Sequence, residues 1–313
     1  MLDAYLKSPV WIGIGGVYAI LAIAALVILG LKMKSPDKDH TELVLRTRTW
    51  FWIIASITIV AALGQGWAIV FIGFISFLAF KEYLSMIPTR RADRSVLFWA
   101  YLCIPAQYWL VYDAWYGLFT IFIPVYAFVL LAFRLILSGE TKGFIKAAGT
   151  LQWGLMLTVY NLSHLAFLLV LPIQTPAAAG GAGLLFYVVF LTQFNDVAQF
   201  FWGKLLGKHK IIPKVSPGKT WEGFIGGMIT TAALSALICS YFTPFSLEAG
   251  IAAGAIIATL GFVGDVTVSS VKRDLDMKDS GNFLPGHGGI LDRLDSLTLV
   301  APVFLHFTRY FYG

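Results

Sequence analysis

Apolar runs of about twenty residues recur along this chain, the length at which a helix crosses a ~30 Å hydrocarbon layer with its backbone hydrogen bonds satisfied internally. They are 11–31, 50–83, 96–112, 115–137, 148–171, 183–203, 223–242, 250–271 and 295–312. The stretch 50–83 is too long for one crossing, and Gly64-Gln65-Gly66 at its middle offers a turn between two short ones. The pattern predicts an all-α, polytopic integral membrane bundle of about ten spans. Composition agrees, since 58% of the 313 residues are hydrophobic and 13% charged, against about 25% charged in soluble domains. A water-soluble fold is excluded.

Charge supports the count through the excess of Lys and Arg in cytoplasmic loops. Ten spans and an external N-terminus make 32–49, 81–95, 138–147, 204–222 and 272–294 cytoplasmic, and these hold 20 of the chain's 23 basic residues. Taking 50–83 as one span would put the basic loops on opposite sides. The net charge of +6 is thus accounted for by topology and anionic headgroups, without nucleic acid. Cys103 and Cys239 lie inside apolar runs and suggest core packing. The first run lacks a following A-x-A cleavage pattern and is expected to stay as a helix. Residues 176–183, PAAAGGAG, read as an external turn.

Polar chemistry concentrates after residue 190, so 1–182 reads as scaffold spans. Residues 183–313 read as the catalytic region, with polar cytoplasmic loops at 204–222 and 272–294. In TQFNDVAQFFWGKLLGK, residues 192–208, Asn195 and Asp196 sit within an apolar helix. A carboxylate there marks a functional group or an Asp paired with a neighbouring helix. KVSPGKTWEG, residues 214–223, resembles a P-loop only in Gly-Lys-Thr, with Pro213 where glycine is needed. Ser216 as N-cap, Pro217 in the first turn, and Lys214 and Lys219 nearby would make either a phosphate-binding helix start or an ordinary basic loop.

The third cluster, Gly264–Ser296, is the densest: GDVTVSSVKRDLDMKDSGNFLPGHGGILDRLDS. Helical spacing places Asp265, Ser269 and Lys272 on one face, and Asp292 and Asp295 on another beyond a glycine-rich turn. Carboxylates interleaved with Lys and Arg around such a turn suit hard cations and phosphates, the parts a nucleotidyl-transfer site needs.

The segment from Ser269 to Ser296 resembles the signature of the phosphatidate cytidylyltransferases, or CDP-diacylglycerol synthases. Ser270, Lys272, Arg273, Lys278, Asp279, Pro285, His287, Gly288, Gly289, Asp292, Arg293 and Asp295 stand at its spacings, and NDVAQFFWGKLLGK and KVSPGKTWEG resemble its companion motifs. Gln199 departs from the aromatic residue frequent in relatives. The resemblance implies that CTP and phosphatidate give CDP-diacylglycerol and pyrophosphate at the cytosolic face with Mg²⁺, leaving a second cation and a homodimer open. In a bacterium this places the chain in the inner membrane. It implies metal ligation by Asp265 and Asp279, then Asp292 and Asp196, with Asp295 behind them. Lys272, Arg273, Lys278 and Arg293 would clamp phosphates, and Lys214 and Lys219 would meet the pyrophosphate end, near Ser216. His287 would donate to a phosphate oxygen or cap backbone, while Gly288 and Gly289 would admit the nucleotide closely.

Two other activities fit parts of this pattern. A CTP-dependent lipid kinase would share helices and substrates, and an ion or proton-coupled transporter would also carry intramembrane Asp. Against transport, no repeated halves are visible. Asn161 and His164 are expected to hydrogen-bond between helices.

Overall fold

The computed structural model describes residues 8–35, 39–88, 94–173, 179–281 and 288–313. Among them, ten long helical segments follow in order. They are α1 (Pro9–Lys34), α2 (Thr41–Leu63), α3 (Gln65–Met86), α4 (Arg94–Tyr112) and α5 (Tyr116–Ile136). Next is α6, which joins Phe144–Leu155, a π turn at Met156–Tyr160, and Asn161–Leu168. Then come α7 (Gly180–Leu206), α8 (Trp221–Phe242), α9 (Leu247–Asp274) and α10 (Leu291–Tyr312).

Eight of the ten are long and apolar enough to cross a membrane. The exceptions are α6, which carries Lys146, Gln152, Asn161 and His164 among its apolar residues, and α10, whose first turns carry Asp292, Arg293 and Asp295. Both lie inside the bundle. Every residue of Asn161–Leu168 is buried, and α10 packs on α6, α7 and α9. Helices α1 and α2 stand at the periphery, each with only 6% of its apolar window buried by protein.

The turn expected at Gly64 is there, with Gly64 at φ +98°, a backbone that glycine alone adopts freely. The two crossings it joins are not short, being 23 and 22 residues. Asp39 Oδ1 caps the Thr41 amide at 2.8 Å, and Arg46 pairs with Glu42 one turn on. The polar residues assigned to a loop therefore start α2. Likewise Gly180–Gly183 are not an external turn but open α7, where a side chain at Gly181 would strike the Leu168 and Leu169 backbone; residues 176–178 lie outside the described segments.

A π turn at Phe122–Ala127 diverts the hydrogen-bond ladder of α5. Side chains of α4 and α6 serve the carbonyls around it. Gln107 Nε2 donates to Phe119 O at 3.1 Å, Tyr160 Oη to Thr120 O at 3.0 Å, and Gln152 Nε2 to Ile123 O at 3.2 Å. Gln107→Leu strands a buried carbonyl, which costs about 1–3 kcal/mol. The expected result is a lower thermal midpoint in detergent; an unchanged midpoint would show that this turn needs no partner.

His164 hydrogen-bonds within its own helix, Nδ1 donating to Tyr160 O at 2.7 Å, instead of across helices. The inter-helix contact is ring packing on Phe119 and His306. A lone donor buried in an apolar helix reaches its own i−4 carbonyl without any neighbour having to be placed.

Candidate active site

The C-terminal ends of α3, α7 and α9 and the N-terminal ends of α8 and α10 meet at one end of the bundle, together with the loop 207–220 and the described residues 275–281 and 288–290. Close packing sets the framework. A Cβ on Gly223 of α8 would stand 2.8 Å from Gln199 O and 3.0 Å from Gly203 Cα on α7. Small residues here let the backbones of α7 and α8 approach.

Helix α8 starts at Trp221, and its N-cap is Thr220, whose hydroxyl accepts from Gly223 N at 3.2 Å. Ser216, expected to be that cap, lies in the preceding loop. The loop folds back on itself, with Lys210 bridging to Thr220 and Ile211 N donating to Lys219 O. Glu222 secures it by accepting from the amides of Lys208 and His209. This ladder delays the helix by four residues and turns Lys219 inward.

Lys219 Nζ lies 2.6 Å from Asp265 Oδ2 and 3.3 Å from Gln199 Oε1. Burial alone would favour a neutral amine, but Asp265, Asp196 and Asp295 outweigh it and hold the ammonium above its usual range. Ser269 donates to Asp265 Oδ1 at 3.3 Å, as the i to i+4 spacing predicted. On α10, Ser296 Oγ lies 3.1 and 3.0 Å from the two Asp196 oxygens, and Arg293 acts on the same carboxylate. One group thus contains Asp196, Asp265, Asp295, Lys219 and Arg293.

Beside it stands a second assembly. Lys272 Nζ meets Asp292 Oδ1 at 2.7 Å, both side chains buried at 11% and 6% exposure. The other Asp292 oxygen accepts from Ser280 N at 2.9 Å and Gly289 N at 3.0 Å. Lys272 therefore serves this pair, while its helical neighbours Asp265 and Ser269 serve the first. Gly288 is left-handed at φ +80°, and a Cβ there would approach Asp292 Oδ2 to 2.8 Å.

The remaining sequence candidates lie around this pair of assemblies. Arg273 links the two loops, Nε donating to Val215 O at 3.2 Å and Nη1 to Met277 O at 3.0 Å. Lys214, Lys278 and Asp279 are exposed at the rim. His287 lies outside the described residues.

Three participants escaped sequence reasoning. Ser296 and Ser280 carry no charge to draw notice. Glu82, at the end of α3, stands in no motif, yet it accepts from Ile290 N at 2.9 Å, Leu291 N at 3.0 Å and the Ser280 hydroxyl.

Among the described residues, no three His, Cys, Asp or Glu side chains could hold a metal by themselves. Mg²⁺ seldom requires that, since it binds through one or two carboxylates together with substrate phosphates. Asp196, Asp265 and Asp295 outnumber Lys219 and Arg293, so the donor chemistry and charge suit such an ion.

A model described as the cytidylyltransferase family matches residues 44–311. The chain belongs to that family. It is 43% identical over 295 residues to the uncharacterized protein YnbB of Escherichia coli, covering 94% of this chain and 96% of that protein. It is 43% identical over 117 residues to the phosphatidate cytidylyltransferase of Haemophilus influenzae, covering 36% of this chain and 41% of that protein. With the Staphylococcus aureus phosphatidate cytidylyltransferase it shares 44% identity over 110 residues, 34% and 42% of the two chains. The chain thus spans about two fifths of the phosphatidate cytidylyltransferases it matches.

In this cytidylyltransferase the turn before α10 has no room for a methyl at Gly289, which would land on the Glu82 carboxylate and the Ser280 hydroxyl. Gly289→Ala is expected to displace the turn and lower turnover by about a hundredfold, the scale of a 1 Å misplacement. Steady-state rates check it, and wild-type turnover would show that the turn yields without consequence.

Proposed function

We propose that this protein transfers CMP from CTP to phosphatidate, giving CDP-diacylglycerol and pyrophosphate, with its site on the cytosolic side. The observation that carries the reading is the meeting of Asp196, Asp265, Asp295, Lys219 and Arg293 at one end of the bundle, beside the buried Lys272–Asp292 pair. Similarity to phosphatidate cytidylyltransferases supports the choice of substrates. A site at the end of the helices, within reach of the aqueous phase and the headgroup region, suits a soluble nucleotide and a lipid phosphate.

An oxygen of the phosphatidate phosphate attacks the α-phosphorus of CTP, the new P–O bond forms in line, and the bond to the bridging oxygen of pyrophosphate breaks. That phosphate is ionised near neutral pH, so no strong base is needed; positioning and charge neutralisation carry the reaction. Lys219 and Arg293 offer cationic donors at the inner wall. Lys272 directs one N–H to Asp292 and keeps two for phosphate oxygens. Exposed Lys214 and Lys278 would meet an incoming polyphosphate, with Arg273 holding the two loops together. Mg²⁺, when bound, would neutralise charge on the triphosphate. Asp265 and Asp196 would hold it from within and Asp279 from the rim, while Asp292 is engaged by its three donors.

Purified protein supplied with phosphatidate, Mg²⁺ and CTP labelled at either the α- or the γ-phosphate tests this. Lipid labelled only from the α-position is expected, and its loss in Asp265→Ala would tie transfer to the inner carboxylates. Lipid labelled from the γ-position when diacylglycerol is supplied in place of phosphatidate, with CDP released, would replace the proposal with a lipid kinase. No lipid label, with nucleotide-independent ion flux in proteoliposomes, would replace it with a transporter.

A further inference from the structure

Helix α10 begins without a cap of its own, because the N-cap position is Ile290 and no side-chain hydrogen bond forms there. The amides of Gly289, Ile290 and Leu291, at and just before its first residue, nevertheless go to carboxylates. Asp292 takes Gly289 N from within the helix, while Ile290 N and Leu291 N go to the two oxygens of Glu82, about 208 positions earlier in the chain. A negative charge placed at exposed N–H groups and at the positive end of a helix dipole is favourable. Here a different helix, α3, supplies it.

The same carboxylate accepts the Ser280 hydroxyl, and Ser280 N in turn donates to Asp292. Glu82 and Asp292 therefore grip both sides of the segment between α9 and α10, one through Ser280 and one through residues 289–291. Gly281 also lies against Glu82, where a Cβ would come within 3.2 Å of Oε2.

We propose that Glu82 is a positioning residue for cytidylyl transfer. By capping α10 from α3 and holding Ser280, it fixes the frame on which Asp292 aims Lys272 and on which Arg293 and Asp295 face the inner carboxylates. Glu82 touches no reacting atom in this arrangement; it acts through the α10 backbone. The proposal rests on the transferase reading for its kinetic consequence, and on geometry alone for its structural one.

Two measurements on the full-length protein separate those dependences. Turnover of CTP with phosphatidate is expected to fall by about a hundredfold in kcat for Glu82→Ala, the cost of a small misplacement at a reacting centre, while KM for CTP moves by less than about threefold because the phosphate-binding cations remain. Glu82→Asp keeps the charge one methylene short and is expected to restore part of the rate. Hydrogen exchange, read by mass spectrometry, is expected to show Ile290 and Leu291 losing protection in Glu82→Ala and regaining part of it in Glu82→Asp. Ser280→Ala is expected to lower kcat several-fold alone and to add nothing to Glu82→Ala. Wild-type kcat in folded Glu82→Ala, or undiminished protection at Ile290 and Leu291, overturns the proposal. If Glu82→Ala does not accumulate, full kcat in both Glu82→Asp and Ser280→Ala overturns it instead. If wild-type protein turns over no nucleotide, the transferase reading has failed, and the exchange result still decides what Glu82 does.

Discussion

Asp292→Ala is expected to abolish measurable turnover and also to destabilise the folded protein in detergent by about 3–5 kcal/mol, the cost of leaving one member of a buried ion pair uncompensated. Both losses have one origin. Asp292 neutralises Lys272 at 2.7 Å and accepts two backbone amides, Ser280 N beyond α9 and Gly289 N before α10. Removing the carboxylate leaves a buried ammonium and two buried N–H groups without acceptors. The pair can be separated from the site by adding Lys272→Met, which removes the stranded charge. The double variant is expected to recover part of the unfolding midpoint and none of the activity. Full recovery of turnover would show that the pair is structural alone.

Lys219→Met should be nearly as severe in rate and milder in stability. It removes the cation that faces Asp265 at 2.6 Å and is surrounded by Asp196 and Asp295, so a triphosphate would meet a wall of uncompensated negative charge. A fall in kcat/KM of at least about a thousandfold is expected, since cationic clamps on phosphoryl groups contribute on that scale. Neutralising the partner as well, in Lys219→Met with Asp265→Asn, should restore the midpoint without restoring transfer. Wild-type kcat/KM in Lys219→Met would remove Lys219 from the site. The pair also has a pH signature. The folded-state value for Lys219 lies above the ordinary 10.5, so its stabilisation is fully present below that value and is lost as pH rises through the higher folded-state one. Activity near neutrality should therefore owe no pH dependence to Lys219.

Hydropathy made nearly all the helices legible, because crossing lipid demands apolar side chains whatever the tertiary packing. The hairpin at Gly64 was legible for the same reason, together with the sidedness of Lys and Arg. The start of α2 was not, since Thr41 to Thr49 is polar and its helix depends on the Asp39 cap and the Glu42–Arg46 pair. The π turns left no sign in composition, because one extra residue per turn changes connectivity and not character. Among site residues, helical spacing paired Ser269 with Asp265 correctly. Lys272, however, left that face for Asp292, and Asp292 and Asp295 joined different assemblies, because partners on other helices decided where each charge went. Thr220 outcompeted Ser216 as a cap because a backbone bridge between Lys210 and Thr220 set where α8 could begin. Glu82 had no local pattern at all. Its partners are about 200 residues away, and only the packing of α3 near α10 brings them together.

The polar start of α10 bears on how such a chain is made. A segment opening with Asp292, Arg293 and Asp295 is a poor substrate for release from the translocation machinery straight into lipid, where each central charge costs a few kcal/mol. Its compensating groups, Glu82, Lys272 and Ser296 against Asp196, lie on earlier helices or form only when α10 docks on them. Insertion of α10 should therefore follow that of the helices before it, into a cleft they already line. Until then Glu82 lacks its partners on α10 and Asp196 lacks Ser296, so the site is incomplete.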